Sequence, residues 1–260
     1  MALTVILLLS AVALGGQQGV VLCAIGMAST FINILAGGGS LLLIPVVTFF
    51  TENANITNGT IRFTILVQGV VALYFYRKSG HVDKSTLFSA LPVVLGAILG
   101  VLFISNQPEQ SVRKLLGLAV LVAAFFTVLK KPTTTDTSSH TIPWLIAIPA
   151  LFASGFYGGV VQAGTGFLFL VTATFWMKMS LAKANVAKVY WAAAYIPLSL
   201  FLFHQKSQVD WTMSLFIASG AIPGAMLGTQ AALAGGERLI KIAVLISAAL
   251  GGTYLLATSF

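Results

Sequence analysis

Long apolar windows run through this 260-residue chain from one end to the other, and they constrain its fold more than any other feature. They lie at about 3–36, 40–50, 57–76, 86–105, 112–129, 142–163, 167–177, 184–203, 211–233 and 239–258, separated by charged or Pro/Gly-rich punctuation. A bilayer-spanning helix needs roughly 20 predominantly apolar residues, so most of these windows are long enough to cross a membrane. Only 8% of the residues are charged and 58% are hydrophobic, whereas a globular protein carries about 25% charged residues. Mean hydropathy is +0.97. With too little polar surface to clothe a water-exposed shell, a soluble enzyme, a nucleic-acid binder and a disordered chain are excluded. The expected fold is an all-α polytopic membrane protein.

The 14 Lys plus Arg against 6 Asp plus Glu leave a net charge of +8. In a membrane protein such an excess marks cytoplasmic loops rather than a nucleic-acid surface. Cys23 is the single cysteine, so neither an intrachain disulfide nor a thiolate metal cluster can form. Residues 1–16, MALTVILLLSAVALGG, have the apolar core of a secretory signal, but the first basic residue of the chain is Arg62. Without a positively charged start the stretch reads as a retained membrane segment.

Two windows, 40–50 and 167–177, are too short to span comfortably, and each follows a glycine break: Gly37-Gly38-Gly39 and Gly164-Thr165-Gly166. That coincidence exposes an internal repeat. At a shift of 127 residues Gly37 falls on Gly164, Gly39 on Gly166, Leu41 on Leu168, Leu43 on Leu170, Asn58 on Asn185, Leu73 on Leu200, Val82 on Val209 and Asp83 on Asp210; after a one-residue insertion Gly96 falls on Gly224 and Gly100 on Gly228. The first repeat is 1–131, including an extra N-terminal apolar segment, the Thr/Ser-rich linker is 132–142, and the second repeat is 143–260.

The charges bear on orientation. With an even number of crossings per half, the basic residues divide almost evenly between the two sides. If instead each glycine-broken pair is a hairpin returning to its own side, followed by three transmembrane helices, then Arg77, Lys78, Lys84, Lys130, Lys131, Lys178, Lys183, Lys188, Arg238 and Lys241 share one side. Arg62, Arg113, Lys114 and Lys206 take the other. This satisfies the positive-inside rule. It makes the repeats inverted in topology, as in many secondary transporters, and puts the C-terminus outside.

Broken helices are tolerated in a membrane only where the freed backbone is buried in protein or lines a polar cavity. A helix starting at Ser40 or Phe167 points free N–H groups and a positive dipole end at the break, where an anion is the natural guest. The competing use of the glycines is a kink or tight packing. Arg62 and Lys188 lie inside apolar windows, four and three residues after the equivalent Asn58 and Asn185, hence on the same helix face. An ionisable residue in a span marks a functional site by default, although one near a helix end also snorkels. Gln68 and Gln162 are neutral donors suited to an oxyanion, and equally to interhelical contacts.

The expected anion site therefore holds Ser40, Thr165 and the backbone N–H groups beside Gly38, Gly39 and Gly166, with charge from Arg62 and Lys188 and neutral hydrogen bonds from Asn58, Asn185, Gln68 and Gln162. All six acids, Glu52, Asp83, Glu109, Asp136, Asp210 and Glu237, fall in loops or at span ends, so no buried carboxylate is offered as a proton relay or strong sodium ligand. Asp83 and Asp210 read as helix N-caps. His81, His140 and His204 lack ligand spacing and read as solvated. No catalytic pair, metal or cofactor is implied. Gly96/Gly100, Gly155/Gly159 and Gly220/Gly224/Gly228 have the four-residue spacing of close helix packing.

The blocks NILAGGGSLLLIPVV (33–47), ANITNGTIRFTILVQ (54–68) and YRKSGHVD (76–83) resemble the first half of the TauE/SafE sulfite exporter family. GTGFLFL (164–170), LAKANVAKVYWAAA (181–194) and QVDW (208–211) answer in the second. The resemblance covers the chain from about residue 19 onward. It implies a bacterial-type inner-membrane permease exporting a small sulfur oxyanion or sulfonate, such as sulfite, thiosulfate or sulfoacetate, by alternating access. Thr165 stands where the second half of the family has a middle glycine, which leaves the exact substrate open. Lipid and the small anion are the expected partners, with no nucleic acid, and a homodimer is an open alternative. An anion channel with the same site, an intramembrane enzyme or an assembly subunit are the rival readings.

Overall fold

The computed structural model describes residues 2–78, 84–116, 118 and 144–258, with side chains described for 15–78, 86–116, 118 and 147–234. The linker 132–142, most of the 112–129 window, and His81, Asp83, Asp136 and His140 lie outside the described residues. So do the side chains of Glu237, Arg238 and Lys241.

All regular structure among the described residues is helical. In chain order the elements are α1 (Ala2–Ala36), α2 (Ser40–Thr51), α3 (Ala54–Lys78), α4 (Lys84–Phe88), α5 (Ala90–Ile104), α6 (109–116), α7 (Trp144–Val160), α8 (Thr165–Val171) continued by a π turn at Thr172–Trp176, α9 (Leu181–Gln205) and α10 (Trp211–Thr258). Five stretches among these are long and apolar enough to cross a membrane: Gly15–Ala36, Ala54–Lys78, Thr86–Ile104, Leu181–Gln205 and Trp211–Ala234. α1 is interrupted at Gly16, whose φ of 54° and ψ of −143° suit a residue without a Cβ. Two expectations need correction. α8 begins at Thr165 rather than Phe167. The windows 211–233 and 239–258 are one helical run, because Gly235-Gly236 costs only about 1 kcal/mol per residue in helix propensity and no proline follows to stop the chain.

α3 and α9 meet across the middle of the molecule. α1 lies along α10 on one flank and α7 along α5 on the other, while α2 packs on α3 and α8 on α9. Glycine sets how closely the flanking pairs approach. A Cβ at Gly220 or Gly224 would fall on the carbonyl oxygen of Cys23 or Met27 of α1, and one at Gly96 or Gly155 on that of Phe152 or Val93. The four-residue glycine spacing is thus close packing of backbones, as read from the sequence. Leu91, Leu95, Leu99 and Leu102 of α5 stay exposed along one helical face, an outer surface for lipid tails.

One stability prediction follows. A Cβ at Gly159 would coincide with the Ala97 carbonyl oxygen and stand 2.9 Å from its carbon. Overpacking of this kind costs about 1–3 kcal/mol, so Gly159→Ala is expected to lower the thermal midpoint in detergent. Gly69→Ala, whose new Cβ meets only the Ala193 Cβ at 3.4 Å, should not.

Helix ends follow local chemistry. Asp210 caps α10, its Oδ1 accepting from the Met213 N–H at 2.9 Å, as expected. Ser180 caps α9 through the Lys183 N–H. His204 sits exposed at the end of α9, accepting from the Trp211 indole N–H at 3.3 Å.

Candidate functional site

The two glycine breaks touch. Gly37 has φ +79°, and a Cβ there would collide with the carbonyl carbon of Gly166 and stand 2.7 Å from the Phe167 nitrogen; one at Gly166 would stand 2.6 Å from the Gly37 oxygen. Gly164, with φ 65°, turns the chain into α8, and α2 starts after Gly39. Two short helices from different parts of the chain therefore begin at one buried point, and tight local turns take up most of their first N–H groups, Leu41 donating to the Gly38 carbonyl at 3.0 Å and Phe167 to that of Gly164 at 3.0 Å.

Ser40 locks the crossing. Its hydroxyl donates to the Gln162 carbonyl at 2.9 Å and accepts from the Gly164 N–H at 3.1 Å. Thr165 Oγ1 donates back to the Val161 carbonyl at 3.0 Å. In this state both hydroxyl protons are committed to backbone, so neither is free for an oxyanion. Gly39 packs on the Ser29 carbonyl of α1, beside Gly38.

Each buried cation holds the end of a helix. Arg62 is fully buried; its guanidinium donates to the Gly158 carbonyl at 3.2 Å, the Gly159 carbonyl at 2.7 Å, Ser199 Oγ at 2.5 Å and Asn58 Oδ1 at 3.2 Å. It also lies over the Phe203 ring, 4.5 Å from the centroid. Asn58 Nδ2 adds a bond to the Val160 carbonyl at 2.9 Å. Lys188, 3% exposed, donates from Nζ to the carbonyls of Asn33 at 2.8 Å and Ile34 at 2.9 Å. Arg62 thus closes the carbonyl end of α7 and Lys188 that of α1, the cation-at-C-terminus arrangement that a helix dipole favours. Neither snorkels.

The residues expected in one site divide into two groups. Gln68, Gln162, Thr165, Gly166 and Lys188 line a cavity of about 20 Å³ together with Asn33, Gly69 and Phe169. Ser40, Asn58 and Arg62 stand at the α7 end outside that lining, and Asn185 instead donates to the Tyr76 hydroxyl at 3.1 Å. Within the cavity group, the Tyr195 hydroxyl donates to Gln162 Oε1 at 2.9 Å, which leaves the Gln162 amide N–H groups for another acceptor. Gln68 Oε1 is buried without a hydrogen-bond partner. Asn33, Tyr195 and Ser199 were not among the expected residues. Asn33 carried a signal, a polar side chain one turn before the first glycine break. Tyr195 and Ser199 sit in the apolar stretch of α9 with none.

The cavity has room for one or two waters, since a water centre occupies about 10–15 Å³. It is lined by a cation, the three amides of Asn33, Gln68 and Gln162, and a hydroxyl, and no carboxylate borders it. The chemistry of such a lining suits a small anion. Among the described residues no group of His, Cys, Asp or Glu could hold a metal ion.

A family model described as "Sulfite exporter TauE/SafE" matches residues 22–255. The chain is 28% identical over 225 residues to a "probable membrane transporter protein ORF9" of Sinorhizobium sp., covering 85% of each chain. It is 28% identical to a "probable membrane transporter protein" of Haemophilus influenzae, over 87% of this chain and 89% of that one. It is 26% identical to the "probable membrane transporter protein YfcA" of Escherichia coli K12, over 92% and 90%. No solved structure matches. With helices able to span a bilayer, a buried polar cavity where two broken helices meet, and a family model spanning most of its length, the chain belongs to the TauE/SafE family of membrane transporters.

Proposed function

We propose that the protein is a secondary transporter of small sulfur oxyanions or organosulfonates, working as an exporter by alternating access around the cavity between the glycine breaks. The observation that carries this reading is the cavity lining itself: Lys188, Gln68, Gln162, Thr165 and Gly166 converge at the start of α8 without a carboxylate. The family description supplies the sulfur chemistry.

Inverted repeats are part of the proposal. Under the 127-residue shift α1 corresponds to α7, α3 to α9 and α5 to the first part of α10. The contacts exchange accordingly: α1 on α10 becomes α7 on α5, and α3 on α10 becomes α9 on α5. The cations exchange too, Lys188 of the second half closing α1 and Arg62 of the first half closing α7. Such a swap lets the two halves trade conformations, which is the basis of rocking-type access. The proposal includes a bacterial-type inner-membrane setting, which the family resemblance implies, with the more basic side cytoplasmic and the C-terminus outside, which the positive-inside rule supports.

The test is uptake of labelled sulfite into proteoliposomes preloaded with sulfite, thiosulfate, sulfoacetate, taurine, sulfate or chloride. Saturable acceleration by one or two sulfur anions is the expected result. No acceleration by any of them, from folded protein, would overturn the substrate class. The closed cavity favours a carrier over an open pore, and an unsaturated ohmic current in the same liposomes would reverse that preference.

A further inference from the structure

Resting on the anion-carrier reading, we propose that Lys188 is the proton-carrying group of the transport cycle, loading a proton with each substrate anion and releasing both to the same side, so that export is driven by the anion's own outward gradient. The argument begins with its partners. The ammonium binds two carbonyls at the end of α1, 2.8 and 2.9 Å away, and opens on the cavity. Facing it from α1 are Asn33 and Ile34; from α3, the Gln68 amide; from α8, Thr165 and Phe169; and from the turn before α8, the Gln162 amide. The cavity lining contains no tyrosine; the Tyr195 hydroxyl donates to Gln162 and that of Tyr76 accepts from Asn185. Arg62 is occupied at the α7 carbonyls. Between Trp211 and Ala234 α10 contains no ionisable side chain.

Among the described residues, Lys188 therefore has dipoles around it and no counter-ion. A charge buried without an opposite charge is costly in the protein interior, and a lysine can escape that cost by giving up its proton. Arginine cannot, which separates the two buried cations: Arg62, held by four acceptors, is a permanent clamp, while Lys188 has a proton it can give up. A substrate anion in the cavity is the missing counter-ion. By linkage, an anion that favours the ammonium is favoured by it to the same degree, so anion and proton bind together. On release an N–H bond of the ammonium breaks, the electron pair stays on Nζ, and the proton enters the water on the side that receives the anion. The returning carrier is then neutral at this position. Carbonyl ends of broken helices are also where transporters coordinate sodium; here the lysine nitrogen fills that place.

The experiment uses the full-length protein in proteoliposomes with isethionate, a sulfonate that stays ionised throughout the working pH range. In wild type an imposed pH gradient, acidic outside, is expected to drive isethionate above its equilibrium level, and apparent affinity to weaken by about tenfold per pH unit on the alkaline side, the slope of one linked proton. Lys188→Arg keeps the charge and, as Arg62 shows one residue out of register in the other half, a guanidinium can close a helix end. Its remaining exchange is expected to be flat with pH, without gradient-driven accumulation. If sulfite is carried and isethionate is not, sulfite's own protonation is common to both proteins and their difference is the readout. Counterflow in wild type with no response to the pH gradient overturns the proposal and leaves the carrier reading intact, as does a Lys188→Arg protein that accumulates like wild type. No counterflow of either anion by folded protein overturns both. Should Lys188→Arg not fold, proton uptake by wild type on isethionate or sulfite addition in weakly buffered detergent still decides: uptake of protons beyond the substrate's own is expected, and none defeats the idea.

Discussion

Gly37→Ala is expected to abolish transport and to reduce folded protein in the membrane severely, whereas Gly69→Ala, at a glycine that lines the cavity, leaves folding intact. Gly37 is held at φ +79°, and any Cβ there lands on the backbone of Gly166 and Phe167. The left-handed conformation costs an ordinary residue roughly 1–2 kcal/mol. Forcing two backbones apart adds an overpacking term of about 1–3 kcal/mol, because the clash is with main chain and not with the end of a flexible side chain. Together these come to on the order of 2–5 kcal/mol, placed where the Ser40 bonds to Gln162 and Gly164 tie the breaks together. Gly69 is helical, and its added methyl meets only Ala193 at ordinary van der Waals distance; alanine there even gains about 1 kcal/mol in helix propensity. Fluorescence-detected size-exclusion profiles of the two variants, with counterflow on whatever folds, make the comparison. A Gly37→Ala protein with wild-type yield and flux would show that the contact between the breaks is dispensable.

The same crossing shows what the residues declare locally and what only the tertiary fold supplies. Apolar window length and glycine runs are local properties, so the helices containing Arg62 and Lys188, the half-length α2 and α8, and the packing role of Gly96, Gly155 and Gly220 could all be read from the chain. The start of α8 was missed by two residues because Thr165, through its bond to Val161, sits comfortably in the first turn. The contiguity of Gln68, Gln162, Thr165, Gly166 and Lys188 was legible as a set of polar residues near two breaks. The departure of Arg62 and Asn58 from that set was not. Their partners are carbonyls of Gly158, Gly159 and Val160, about a hundred residues away in sequence, and backbone carbonyls have no sequence signature. A cation in an apolar window announces that something must satisfy it; which helix end or ligand does so depends on how α3 and α9 cross.

Arg62→Ala is the second large effect, and its expected form differs from that of a simple substrate ligand. Removing the guanidinium strands the carbonyls of Gly158 and Gly159 along with Asn58 Oδ1 and Ser199 Oγ, all drawn from a region that water does not reach. Each orphaned buried group costs about 1–3 kcal/mol, and the contact with Phe203 is lost as well. The sequence places Arg62 beside Lys188 as a charge for the anion, which would let the alanine variant fold normally without transporting. The clamp geometry instead requires loss of folded protein, with flux falling in proportion to the protein lost. Arg62→Lys separates the alternatives. Lysine keeps the charge but lacks the planar fork that reaches two carbonyls and two side chains at once, so a clamp is only partly restored and thermal stability in detergent stays well below wild type. A charge acting on substrate at a distance would instead be largely restored. Normal stability of Arg62→Ala together with absent flux would return Arg62 to the substrate site and remove the asymmetry between the two buried cations on which the role of Lys188 depends.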